Sequence, residues 1–203
     1  MQPRLQATFA LLFAVAALYK APAARAQSPS AVEAHAPVDL ALGYSYLRSN
    51  APPGGCGCFS MNGGTASVAI PLKSSPFSVL GDFTSVRGSQ ISPASYDMAL
   101  NIFTAGLRFR TAIGRAAWRP FGQVLAGGAH GGGTLIRASL QGKGYGAVAF
   151  AFNAGGGMDY RVNRHFGLRL IQADYLLTSF DNHVNDHQNN LSLNAGVVVS
   201  FGK

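Results

Sequence analysis

The sequence predicts an all-β fold, an eight-stranded antiparallel, up-and-down transmembrane β-barrel, preceded by a removable leader. Three observations predict it: an export signal at the amino end, two-residue alternation of large apolar with small or polar residues from Val38 onward, and connections that alternate in length and character. After the leader no segment has the uninterrupted apolar length of a spanning helix, so any crossing must be made by strands.

Residues 1–26 form the expected signal peptide. Arg4 supplies the positive start, Phe9 to Leu18 the apolar run, and Ala24-Arg25-Ala26 the small-x-small cleavage pattern. That run is shorter than the roughly 20 residues a spanning helix needs. No cysteine lies near the cut to carry a lipid. Residues 27–37 read as a flexible lead-in and residues 38–203 as the barrel. The leader holds three of the sixteen basic residues (Arg4, Lys20, Arg25) and none of the eight acids, which leaves the mature chain at a formal +5. The remaining basic residues are spread along the chain, with no run of the kind that marks a nucleic-acid footprint.

The strands follow in order. In the first, Val38, Leu40, Leu42, Tyr44 and Tyr46 share one parity, and Asp39, Ala41, Gly43 and Ser45 the other. In the second, Gly63, Thr65, Ser67 and Ala69 oppose Gly64, Ala66, Val68 and Ile70. Phe77, Val79 and Phe83 oppose Asp82 and Thr84 in the third. In the fourth, Phe103, Ala105, Leu107 and Phe109 oppose Thr104, Gly106, Arg108 and Arg110. The fifth, from about Trp118 to Ala129, has ambiguous parity because Phe121 and Leu125 oppose Val124. In the sixth, Val148, Phe150, Phe152, Ala154 and Met158 oppose Asn153, Gly155, Gly157 and Asp159. The seventh changes parity midway: Phe166, Leu168 and Leu170 lead, then Ile171, Ala173, Tyr175 and Leu177, which predicts a bulge near Leu170-Ile171. The eighth alternates most strongly, with Leu191, Leu193, Ala195, Val197, Val199 and Phe201 against Asn190, Ser192, Asn194, Gly196, Val198 and Ser200.

Residues 49–58, 88–95, 130–144 and 179–189 are the expected outer loops; 71–76, 111–117 and 161–165 are the expected inner turns. A soluble barrel is the structural rival. The quieter parity decides against it, because glycine, serine, asparagine, aspartate and arginine make a poor dry core but a workable polar interior. Tyr44, Tyr46, Tyr96, Trp118, Tyr145 and Tyr160, near strand ends, suit interfacial girdles.

The inward parity collects Asp82, Arg108, Arg110, Asp159, Arg169 and Asp174. An unpaired buried charge is costly, so these are expected to pair into an internal network that fills the narrow interior of eight strands; a narrow wet passage is the alternative. Cys56-Gly57-Cys58 is the most distinctive loop feature. An exported compartment permits a disulfide between Cys56 and Cys58, although the ring would be small. Two thiols, or intermolecular or metal-linked chemistry, remain as alternatives.

An enzyme would need a nucleophile or general base near the lipid headgroups. His130, His165, His183 and His187 are present, with Ser139, Ser179 and Asp186 as candidate neighbours, but no pair forms a nucleophile signature. His183 and His187 with Asp181 and Asp186 suggest a metal site, against which a solvated loop is the simpler reading. No catalytic residue, metal or cofactor is therefore expected.

Gly43-Tyr44-Ser45-Tyr46, the Pro120-to-His130 stretch and especially Asn163 to Tyr175 resemble the outer-membrane β-barrel family related to OmpA-like transmembrane domains and opacity porins. Asn189-Asn190-Leu191 and Gly196 to Gly202 are similar to its closing strand, and Arg161 to Tyr175 looks most like acidobacterial versions. The resemblance covers roughly residues 38–203. It implies a bacterial outer-membrane location, outer-membrane lipids as surroundings, and insertion by the outer-membrane assembly machinery. Phe201 fills the family's terminal aromatic position, but Gly202 and Lys203 follow it. With the chain ending at the barrel, no wall-anchoring role is expected. The functional expectation is a noncatalytic outer-membrane barrel contributing to envelope integrity or surface interactions through its loops, with the surface ligand unknown. A narrow porin-like channel is the runner-up, and a membrane lipid-modifying enzyme stands behind it.

Overall fold

A computed structural model describes residues 37–50, 58–73, 75–91, 95–111, 117–139, 146–180 and 187–202. The expected cleavage site, Cys56, Tyr145, Asp181, His183 and Asp186 lie outside the described residues. Eight strands run β1 (Val38–Ser49), β2 (Phe59–Pro71), β3 (Phe77–Ile91), β4 (Tyr96–Arg110), β5 (Trp118–Gly132), β6 (Gly146–Arg161), β7 (Phe166–Thr178) and β8 (Gln188–Phe201). Each pairs antiparallel with its sequence neighbour, and β1 pairs with β8 to close the barrel. Closure satisfies every edge, as a hydrocarbon surrounding requires.

Parity sorts the side chains as the alternation predicts. Leu42, Val68, Phe83, Leu107, Val148 and Leu168 are among the exposed large apolar residues on the outer wall. Asp39, Ser67, Thr104, Arg108, Asp159 and Asn194 are buried inside. Inverted in this way, greasy outside and polar inside, the wall matches a lipid surrounding rather than water.

In β7 the expected irregularity is present. The register passes from Asp159↔Arg169 to Met158↔Ile171 on one side and from Arg169↔Gly196 to Gln172↔Asn194 on the other. Leu170 and Ile171 both face outward, 44% and 54% exposed. This extra residue lets Arg169 and Gln172 both point inward.

The outer end differs from the sequence reading: Ser49, His130 to Gly132 and Gln188 to Asn189, expected in loops, belong to strands. Residues 88–91, expected as loop, continue β3: the register shifts between Gly88 and Ile91 and Gln90 adopts a positive φ of 56°, so these residues are a bulged extension of the wall. The β5–β6 loop carries a short helix, α1 (Thr134–Ser139), whose entry is fixed by the Asp97 backbone N–H donating to Thr134 Oγ1 at 2.8 Å. The strand ends at Pro71, Phe77, Arg110, Trp118, Arg161 and Phe166 gather at one end of the barrel. The strand ends at Ser49, Phe59, Gly132, Gly146, Thr178 and Gln188 lie at the other, which the long-loop rule makes the outer end.

Candidate functional site

The interior is built in two layers. Toward the outer end the inward residues are apolar: Leu47, Met61, Val86, Leu100 and Leu176 form one buried cluster, closed by Phe180 just beyond β7. Gln188 seats that phenylalanine by clamping its backbone, accepting from Phe180 N at 3.0 Å and donating to Phe180 O at 2.8 Å. Ile136 of α1 is buried beside it; a Cβ on Gly131 would stand 3.1 Å from Ile136 Cδ1 and 3.3 Å from the Phe180 ring.

Beneath lies a polar layer that runs continuously from strand to strand. Ser200 Oγ donates to Asp39 Oδ1 at 2.5 Å, and Arg110 Nη1 reaches Asp39 Oδ2 at 2.5 Å. The other guanidinium nitrogen, Arg110 Nη2, lies 3.6 Å from Asp159 Oδ2. Arg169 donates to both oxygens of Asp159, from Nε at 2.9 Å and from Nη2 at 3.3 Å, and to Gln172 Oε1 at 2.9 Å. Gln172 Nε2 passes the chain to Asp174 Oδ2 at 2.5 Å, and Gln123 Nε2 approaches the same carboxylate at 3.3 Å. Gln123 Oε1 finally accepts from Arg108 at 2.8 Å and 3.2 Å. Paired and hydrogen-bonded, buried charges avoid most of the penalty that isolated ones would incur.

Of the six interior charges singled out in the sequence, Arg110, Asp159 and Arg169 meet as ion pairs, and Asp174 and Arg108 join them through Gln123 and Gln172. Asp82 stands apart, accepting from Thr84 Oγ1 at 3.1 Å and Thr65 Oγ1 at 3.3 Å. Sequence reasoning missed Asp39, although its parity already placed it inside, and missed Gln123 because β5 could not be faced. The structure faces that strand: Phe121 and Leu125 point inward and Val124 outward. Phe121 is inside because its ring carries cations, with the guanidinium carbons of Arg108 and Arg169 at 4.4 and 4.8 Å from its centroid. Glycines on β6 make the room: a Cβ at Gly157 would fall 2.8 Å from Phe121 Cζ, and one at Gly155 2.4 Å from Asp174 Oδ1.

At the turn end, Asp39, Arg110, Arg119, Asp159, Arg161 and Ser200 surround a cavity of only about 20 Å³, space for one water.

The proposed enzyme groups do not converge. His130 faces outward near the loop end, whereas His165 sits in the β6–β7 turn with Nδ1 3.2 Å from Ser200 O. Among the described residues no three His, Cys, Asp or Glu side chains are grouped as a metal site requires. Cys58 is exposed just before β2, and its candidate partner Cys56 is outside the described residues.

The outer wall carries aromatic pairs at the turn end, Trp118–Tyr160 at 5.1 Å and Phe77–Phe109 at 5.3 Å. Toward the loop end the tyrosines reach the other way. Tyr44, Tyr46 and Tyr175 hydrogen-bond to Asn62, Ser60 and Asn189 respectively, each acceptor or partner lying nearer the loops than the ring's own register neighbour. An amphipathic ring with its hydroxyl turned toward water marks a membrane interface.

With wall and interior so arranged, the family comparison is decisive: the model for the outer membrane protein beta-barrel domain matches residues 8–201. The chain belongs to that family. Neisserial surface protein A has a similar structure, with a TM-score of 0.58 at 14% identity, covering 81% of this chain and 97% of that one. Ail, the attachment invasion locus protein of Yersinia pestis, gives 0.52 at 17% identity over 81% and 99%. Its complex with the heparin analogue sucrose octasulfate gives 0.51 at 18% over the same shares. At these identities the likeness is one of fold. No curated protein sequence matches the chain. The protein is a β-barrel of the bacterial outer membrane.

Proposed function

We propose that this barrel is sealed and acts from its outer surface, its loops contributing to surface interactions or envelope integrity while the interior serves as a structural plug. The observation that carries the reading is the stacking of two closures in series: the apolar cluster capped by Phe180 lies above the ion-paired layer from Asp39 to Arg108. A solute would have to displace both. Neither layer resembles the water-filled lumen of a conducting barrel.

Within this reading residues 1–26 direct export, the outer-membrane assembly machinery inserts residues 38–203 among outer-membrane lipids, and residues 27–37 remain as a lead-in. Alkylation of the native protein before and after reduction distinguishes a Cys56–Cys58 disulfide from two thiols: mass added only after reduction marks the disulfide, and mass added without reduction marks the free thiol that Cys58 presents. Kinship with acidobacterial members rests on Arg161 to Tyr175. Planar-bilayer recording tests the sealed interior: the refolded chain should insert without stepwise conductance, whereas reproducible single-channel steps would favour a narrow channel.

A further inference from the structure

Four arginines and two aspartates share the inward parity at the turn end of the barrel, which the loop-length rule directs to the periplasm. Arg110 ends β4, Arg119 lies at the start of β5, Asp159 and Arg161 at the end of β6, Arg169 near the start of β7 and Asp39 near the start of β1. Both carboxylates are already engaged. Asp39 accepts from Arg110 Nη1 and Ser200 Oγ, each at 2.5 Å, while Asp159 takes Arg169 through both oxygens and Arg110 Nη2 at 3.6 Å.

Arg119 and Arg161 are left over. Both line the turn-end cavity half-buried, and among the described residues neither side chain has a hydrogen-bond or ion-pair partner. Arg119 is the register neighbour of Asp159, two residues before Arg161 on β6, so the two arginines stand diagonally across the strand pair, within reach of long side chains. The other described acids are committed elsewhere. Asp82 and Asp174 are held by threonine and glutamine higher in the interior, and Asp97 lies at the outer start of β4. A third unmet donor stands in the same lining, since Arg110 Nε is buried with no acceptor. Two unpaired cations side by side and an orphaned buried N–H mark the place of a missing negative group.

The shape of the cavity selects the anion. It holds about 20 Å³, with Phe166, Gly167 and Val198 as the apolar part of its lining. A Cβ on Gly167 would stand 3.2 Å from Tyr160 O, so a side chain there would narrow the space. A carboxylate is planar and enters edge-on, presenting two oxygens that match a guanidinium fork. A phosphate or sulfate is tetrahedral, with oxygens on every side, and is too bulky for a space of one water. The inward facing also separates these arginines from the headgroups of lipids outside the wall.

We propose that the periplasmic mouth of the barrel binds a carboxylate. Arg119 and Arg161 grip it from β5 and β6, Arg110 Nε supplies a further donor, and the bound group neutralises two cations that otherwise stand unpaired beside one another. The carboxylate is carried either by a small free acid or by the end of an extended periplasmic peptide. The barrel thereby has a binding face at its inner end, separate from the outer loops.

The test uses the mature chain refolded into phosphatidylcholine nanodiscs and titrated at constant ionic strength with acetate, N-acetyl-trialanine, its carboxamide and inorganic phosphate. Binding is read twice, from the arginine Nε–H resonances and from the fluorescence of Trp118, the single tryptophan, whose ring meets Tyr160 of the cavity lining at 5.1 Å. Both carboxylates should give saturable changes and the carboxamide none. Equal affinity for acetate and the peptide assigns the site to a free acid, and tighter binding of the peptide assigns it to a chain end. Arg119→Gln and Arg161→Gln should each weaken binding about tenfold, the loss of one charge-assisted contact. Gly167→Val, which narrows the cavity without removing a charge, should weaken it as well. Arg87→Gln at the opposite end should leave it unchanged, and heat-modifiable mobility verifies that each variant is folded. Unchanged affinity in the Arg119→Gln/Arg161→Gln double variant would overturn the proposal, as would saturation by the carboxamide or the absence of saturation by either carboxylate. So would phosphate binding as tightly as the carboxylates, since that reduces the arginines to a general counterion site.

Discussion

Arg169 and Asp159 are register neighbours across β6 and β7, joined through both carboxylate oxygens at 2.9 and 3.3 Å, and the extra residue that follows Arg169 makes the rest of the polar layer reachable. With Leu170 and Ile171 both turned to lipid, the inward positions continue at Gln172 and Asp174. Deleting Leu170 removes the extra residue and leaves Arg169, Ile171 and Gln172 in regular in–out–in alternation, so Arg169 and Asp174 both keep the inward face. The deletion should therefore retain the heat-modifiable folded band in refolding assays, and loss of that band would contradict the assigned bulge.

Asp159 serves two guanidinium groups at once, those of Arg169 and Arg110. Asp159→Asn leaves both cations buried with one carboxylate fewer, a loss of about 3–5 kcal/mol. Urea titration of the protein in lipid vesicles should show a lower midpoint, and pairing the change with Arg169→Gln should recover part of it.

Gly157 keeps clear the space into which Phe121 reaches, its would-be Cβ lying 2.8 Å from Phe121 Cζ and 2.3 Å from Ile171 O. Gly157→Val should therefore displace the ring from beneath Arg108 and Arg169 and cost about 1–3 kcal/mol by overpacking. Replacing Phe121 itself with leucine removes the cation–π contacts without adding volume. Its smaller loss in the same titration would separate ring chemistry from crowding.

The two faces of β8 should respond differently to change. Val197 faces lipid and Ser192 the interior. Val197→Arg near the middle of the bilayer should cost about 2–4 kcal/mol and impair insertion. Ser192→Ala should be mild, and equal effects on folded yield would contradict the assigned facing.

The ion-paired layer alone is predicted to seal the barrel once the upper closure is removed. Phe180 is buried at 7% exposure and held by Gln188. Phe180→Ala combined with Leu47→Ala should leave the ion-paired layer intact and the bilayer silent. Adding Arg110→Ala and Arg169→Ala should produce conductance in molecules that still fold.

Alternation made the strand order, the facing of six strands and the β7 bulge legible in the sequence, because a period of two reports directly which wall a side chain joins. It failed where inward residues are themselves apolar. Phe121 and Leu125 blurred β5, since nothing local signals that a phenylalanine will lie against two arginines from β4 and β7. Leu47, Met61, Leu100 and Leu176 share the inward parity, but their apolar character disguised it, so the dry upper layer was invisible while the charged layer was not. Contacts such as Arg110 with Asp39 bring together residues 71 positions apart. Parity supplies the face, and only barrel closure supplies the partner. α1 gave no signal because six residues in a glycine-rich loop are too short for a helical period to be read.

Fractionation of cells with detergent extraction, followed by electrophoresis of unheated and boiled samples, tests the central claim most directly. The account predicts that the mature chain sediments with the outer membrane, needs detergent for release, and migrates at two mobilities that merge on boiling. A product found in the soluble fraction, with one mobility before and after heating, would contradict it.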